Sequence, residues 1–215
     1  APWISCPGLP SFPAGIWMVA VPTRPAASQA DLVLGTADTV RWDPVSQDYL
    51  QFGEGAFDVA PGNGYWVRYP GTKNLAVEGH TLSMPLSVPL AAGWNLLGNP
   101  RIETLPWDAV CADGSVRPFG WVLNEDGTGY ELVSTLTGLN TRSEIAPWQG
   151  FWLRAEEECE VALGEQADTS SVQLESASTR WAIRLSAEAG HVQDDDNFVG
   201  TMETAEALTV PNPPC

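Results

Sequence analysis

The chain has 215 residues, 44% of them hydrophobic, a net charge of −17 and a single lysine, Lys73. That length suits one large domain or two small ones, and the apolar share argues against wholesale disorder. The charge argues against a nucleic-acid partner, which needs clustered Lys and Arg, and no run of about 18 apolar residues exists to form a transmembrane helix.

The chain begins at Ala1 with no charged and apolar leader, so we read it as a mature chain or fragment of an exported protein whose signal peptide has been removed. The first clear element is "AGIWMVAVP", Ala14 to Pro22, a short apolar run bounded by Gly and Pro that predicts a strand. "SQADLVLG", Ser28 to Gly35, predicts one or two helical turns. "VRWDPVSQDYLQF", Val40 to Phe52, predicts a hairpin with Pro44 in its turn. "VAPGNGYWVR", Val59 to Arg68, ends in an aromatic, alternating strand.

The same features then recur in the same order. "AGWNLLGNP" (Ala92 to Pro100) matches the first strand, and "ETLPWDAVC" (Glu103 to Cys111) takes the place of the helical turns. "FGWVLNEDGTGYELV" (Phe119 to Val133) is a hairpin around Asp126-Gly127, with Trp121 matched to Trp42 by the order Trp, polar turn, Tyr. "IAPWQGFWLR" (Ile145 to Arg154) repeats the last strand, with Trp148 where the first set has Gly62. Copies are offset by 78 positions at Gly15 and Gly93 and by 86 at Trp66 and Trp152, so the second carries about eight extra residues. We read a tandem repeat spanning roughly 10–79 and 88–164.

The predicted fold is all-β: a first β repeat over 1–87, a second over 88–164, a linker at 165–171, and a C-terminal strand segment over 172–215. In that last segment Trp181, Ile183 and Leu185 alternate on one apolar face, with Val172 and Leu174 on another strand. So few strands are marginal alone in water, so the segment reads as an incomplete, sandwich-like piece covered by the repeats, another chain or a missing region.

Ten tryptophans are the chief chemical signal. Those at matched strand positions, among them Trp66 and Trp152, are expected to be buried, since a large aromatic gives a small repeat most of its core. Trp148 at its turn and Trp107 are expected to be exposed and to serve as ligand-binding residues, flat indole faces being suited to stacking on sugar rings. Asp194, Asp195, Asp196 and Asn197 offer oxygen ligands for calcium, although their spacing is not that of an EF-hand and a solvated turn explains them as well. Otherwise no cofactor is expected. Four cysteines form no C-x-x-C pair, so disulfides are expected: Cys111 with Cys159, both in the second repeat, and Cys6 with Cys215, which would tie the ends together. No nucleophile elbow, P-loop or dinucleotide fingerprint is present, and the chain is expected not to be an enzyme.

"LAAGWNLLGNP" followed some fifty residues later by "IAPWQGFWLRA" resembles the Gly-Trp-Asn-Leu-Leu-Gly-Asn-Pro repeat of large secreted and cell-surface bacterial proteins, and "RWAIRLSAEAG" with "DDDNFVG" resembles a segment that often follows it. The first copy departs at Ile16-Trp17, where the Trp is shifted by one, and at Ala20-Val21-Pro22; the second departs at Trp148-Gln149. The resemblance implies an extracellular or cell-surface location and no particular catalytic residues. The expected function is a non-catalytic structural or interaction module, a subunit of a surface assembly or filament whose partners are other protein chains or copies of itself. The alternative is a carbohydrate-binding module that takes polysaccharide on Trp107 and Trp148.

Overall fold

The computed structural model describes residues 3–5, 10–55, 57–80, 82–110, 116–134, 142–164, 179–189, 192–202, 207–209 and 213, with side chains for those from 10 to 164 and for 213. The fold is all-β. The main strands are β1 (Gly15–Ala20), β2 (Thr39–Asp43), β3 (Asp48–Gln51), β4 (Gly64–Tyr69), β5 (Leu86–Leu90), β6 (Gly93–Gly98), β7 (Val116–Leu123), β8 (Tyr130–Ser134), β9 (Gly150–Ala155) and β10 (Cys159–Leu163). Helix α1 (Ala30–Val33) lies between β1 and β2, and α2 (Trp107–Val110) between β6 and β7, each at the place the sequence predicts.

Two four-stranded antiparallel sheets carry the architecture, ordered β1-β4-β2-β3 and β6-β9-β7-β8. They share one plan and one register. Gly15 to Ala20 pair with Tyr69 to Gly64, and Gly93 to Gly98 pair with Ala155 to Gly150. Val40 sits opposite Trp66 as Trp121 sits opposite Trp152. Tyr49 faces Trp42 as Tyr130 faces Leu123.

These pairings correct one alignment. Trp121 holds the position of Val40, and Leu123 that of Trp42, so the two hairpin tryptophans are two residues out of step. The order of residue types matches, but a slip of two keeps a side chain on its face and is invisible to alternation. The offset is thus 78 in the first strands, 81 in the hairpins and 86 in the last strands, so the extra residues fall in both connections.

Alternation sends every other residue of each sheet to opposite faces. Val19, Tyr65, Val67 and Tyr69 face outward onto Leu34, Leu75 and Val77. Leu97, Phe151 and Leu153 face outward onto Trp107, Val110 and the β5–β10 pair. Met18, Leu96, Trp121, Leu132 and Trp152 meet between the sheets.

The halves exchange matching contacts, the reciprocity of a two-fold relation. Ala20 N–H donates to Trp148 O at 2.8 Å, and Gly98 N–H, its counterpart, donates to Gly62 O at 2.9 Å. Val19 bridges to Gln149 and Leu97 to Asn63. The approach is close: a Cβ on Gly98 would collide with Ala20 Cβ and Asn63 O.

The C-terminal segment forms a three-stranded sheet of β11 (Thr179–Ala189), β12 (Val192–Met202) and β13 (Ala207–Thr209) in that order. Trp181, Ile183 and Leu185 lie in β11, their side chains outside the described residues, as are Val172 and Leu174 altogether. Among the described residues no helix is long and apolar enough to cross a membrane.

Candidate functional site

The two tryptophans expected at the surface are buried: Trp107 is 0% exposed and Trp148 4%. Trp107 opens α2, stacks edge-on against Phe151 at 5.9 Å and donates its Nε1–H to Pro118 O. It fits there because residue 120 is glycine, where a Cβ would collide with the indole. Trp148 does sit at a turn, with a left-handed φ of 64°. Yet that turn abuts the other half, and the indole enters the core of the first sheet beside Tyr65 and Val67. A turn that meets a partner element is not a solvent-facing turn, and sequence spacing does not show which kind it is. Trp66 and Trp152 are equivalent by register; Trp152 is fully buried, whereas Trp66 is only half-buried.

Asp194 to Asn197 lie within strand β12, opposite an irregular register at Leu185 to Ala187, rather than in a turn; their side chains lie outside the described residues. Among the described residues no group of three or more potential metal ligands comes together. Cys159 is half-buried against the second outer core and carries no disulfide, so the expected bond to Cys111 is not formed in the structure. Cys111 itself, with Cys6 and Cys215, lies outside the described residues.

The site that does emerge is an open groove of about 790 Å³ at one end of the space between the sheets. Ile16, Val40, Tyr49, Gln51 and Trp66 of the first sheet form one wall; Leu123, Thr128 and Tyr130 of the second hairpin form the other. Trp66 and Tyr130 meet edge-to-face at 6.3 Å. Glu54 stands at the rim, its carboxylate accepting the Gln51 N–H at 3.1 Å. A second hollow of about 330 Å³ shares Ile16, Val40, Gln51 and Trp66 and runs on to the Arg68–Asp38 ion pair.

The counterpart of this groove, at the other end of the same interface, is filled. Trp94 replaces Ile16, Trp121 replaces Val40, and Leu132 replaces Gln51 at identical register positions. Trp42 fills in from the first hairpin, packing edge-on against Trp152 at 5.3 Å and donating Nε1–H to Trp94 O at 2.7 Å. Gln47 closes the rim: its carboxamide accepts from Trp94 N–H and donates to Trp94 O, each at 3.0 Å. In the open groove the equivalent turn bonds inward instead. Thr128 donates its hydroxyl to Asp126 at 2.6 Å and its N–H to Asn124. The Thr128 hydroxyl and amide hold the Asp126 carboxyl below the usual carboxylate range.

One polar atom stands out in the groove wall. Trp152 Nε1–H donates to Tyr130 Oη at 3.2 Å, but Trp66 Nε1, its counterpart, is buried with no acceptor. Buried donors are rarely left so, and this one lies beneath the surface of the groove wall. The sequence carried a trace of this asymmetry. Trp17 stands one residue off the place of Trp94, and in a strand one residue is the difference between faces. Trp17 stands on the other face, donates to Pro13 O and lays the edge of its ring over Gly127 of the second hairpin, leaving Ile16, 57% exposed, at the groove. No protein-family description, curated protein or solved structure matches the chain.

Proposed function

We propose that the chain is a non-catalytic interaction module of a secreted or cell-surface protein, and that the open groove is its ligand site, with carbohydrate as the ligand class. The observation that carries this reading is the contrast between two equivalent ends of one interface, one packed shut by tryptophans and the other left open. A groove of this size, walled by Trp66, Tyr49 and Tyr130 and edged by Gln51, Glu54 and Thr128, offers aromatic faces with a few polar groups at the rim. That combination suits a sugar, whose ring faces are apolar and whose edges carry hydroxyls. The reading calls for no cofactor.

Calorimetric titration of the purified chain against a panel of soluble oligosaccharides tests it. Binding by at least one, abolished in Val40→Trp, which installs the tryptophan found at the filled end, is the expected result. Saccharide binding unchanged in Val40→Trp, or none across the panel, refutes it.

A second reading has its own observation. The outer edge of β8 is covered: Ser134 N–H donates to Arg142 O at 2.8 Å and Arg142 N–H to Leu132 O at 3.2 Å. The equivalent strand β3 has no strand on its outer edge among the described residues. An extended segment of another chain, or of a second copy, would add there by strand pairing and make the module part of an assembly. Sedimentation velocity over a hundredfold concentration range distinguishes self-assembly from a monomer.

A further inference from the structure

The filled end shows what the open end is shaped to receive. There the carboxamide of Gln47 presents one acceptor and one donor, side by side, to the N–H and C=O of a single residue, Trp94. Ile16 is the counterpart of Trp94: it lies opposite Arg68 as Trp94 lies opposite Arg154, each on the edge strand of its sheet. The shared register points the Ile16 N–H and C=O outward, away from β4. Among the described residues no side chain or turn bonds to them. The second hairpin comes near, with the Cβ position of Gly127 3.6 Å from Ile16 O, but Thr128 is occupied by Asn124 and Asp126. The open groove therefore holds a donor and an acceptor, adjacent on one residue, in a place where its twin holds them satisfied.

We propose, resting on the carbohydrate reading of the groove, that it recognises a sugar through a vicinal diol seated on the main chain of Ile16. Two neighbouring hydroxyls on a pyranose ring stand side by side, one able to accept while the next donates, as the C=O and N–H of a primary carboxamide do. One hydroxyl accepts from Ile16 N–H while the next donates to Ile16 O, which reproduces the pattern Gln47 makes at Trp94. A secondary acetamide cannot do this, because its N–H and C=O point in opposite directions. The ligand class is thus a glycan whose linkage leaves adjacent hydroxyls free, with discrimination between linkages rather than between sugars.

The test compares soluble β-1,4-linked and β-1,3-linked glucans of equal length on the full chain, by calorimetry and tryptophan fluorescence. The 1,4 linkage leaves the 2,3-diol of every internal residue free; the 1,3 linkage consumes it. Binding at least tenfold tighter to the 1,4-linked glucan is expected. Ile16→Pro, which removes the N–H donor at an edge position together with the Ile side chain, should erase most of that preference, whereas Ile16→Ala, which removes the side chain and keeps the N–H, should retain it, with near-ultraviolet circular dichroism as the check that the fold survives. Equal binding of the two glucans overturns the diol contact and leaves the groove as a carbohydrate site. Binding of neither, in a chain that also binds nothing else on the oligosaccharide panel, overturns the carbohydrate reading and this contact with it.

Discussion

At one end of the inter-sheet space Trp94, Trp121 and Leu132 close the gap between the layers; at the other, Ile16, Val40 and Gln51 hold the same register positions and leave it open. Backbone plan, strand order and hydrogen-bond register are common to both ends. Four side-chain differences, the fourth being Trp42 against Leu123, and one turn separate a core from a cleft. On the proposed function, packing stability and binding lie at different ends of one interface, as expected when a site is grafted onto a scaffold rather than built into its fold. The open end gives up buried aromatic area that the closed end keeps, a cost commonly met at binding surfaces.

The comparison breaks most sharply at the paired tryptophans. Trp152→Ala should cost about 3–5 kcal/mol in urea denaturation, the range for a fully buried large aromatic, and Trp66→Ala less than half of that. Equal losses would mean the two ends are packed alike. Next comes Trp148→Gly. It empties a site in the first outer core but relieves a left-handed residue, so a net loss of roughly 2–3 kcal/mol is expected; an unchanged midpoint would show that the insertion contributes nothing. Gln47→Ala removes both bonds to Trp94 at an exposed rim and should cost about 1 kcal/mol. In Gln47→Ala the closed end should also gain a weak affinity for the ligand of the open one, visible by titration.

The smallest effect is in acid. The Val45 N–H and the Ser46 hydroxyl hold the Asp43 carboxyl below its ordinary value of 3.8. A carboxyl whose folded value is lowered contributes its full stability above the unfolded value and loses it as pH falls through the folded one. The gap in urea midpoint between the wild type and Asp43→Ala should therefore be constant from pH 7 to about 5 and shrink below about 4. A gap that widens in acid would contradict the assignment.

The strands, hairpins and both short helices were legible because local signals write them: alternation, Asp-Gly and Pro turns, and aromatic runs between glycines. The site was not. Trp107 and Trp148 drew attention by standing apart from the strand pattern, but their surroundings come from elements distant in the chain: Phe151 and Gly120 for one, Tyr65 and Val67 for the other. The groove was hidden for the opposite reason. Its walls, Val40 and Trp66 among them, are residues the pattern assigns to a core, and only the absence of a filling partner makes them a site. The one local clue, the displaced tryptophan at Trp17, reads as an imperfect match until the register shows which face it left.

The place of Trp148 has a consequence for how the molecule comes apart. The first outer core is completed by an indole that belongs to the second half of the chain, while Gly62 O of the first half caps the edge of β6. The first half then lacks an intact interior on its own, and the second, whose outer core is its own, loses Met18 and Trp42 from the core between the sheets. Heating should yield one calorimetric peak for residues 10–164, with the van't Hoff and calorimetric enthalpies in agreement, rather than two successive meltings. Cutting the connection between the halves should leave fragments that stay unstructured apart and regain native signal on mixing, a bimolecular event whose rate rises with concentration.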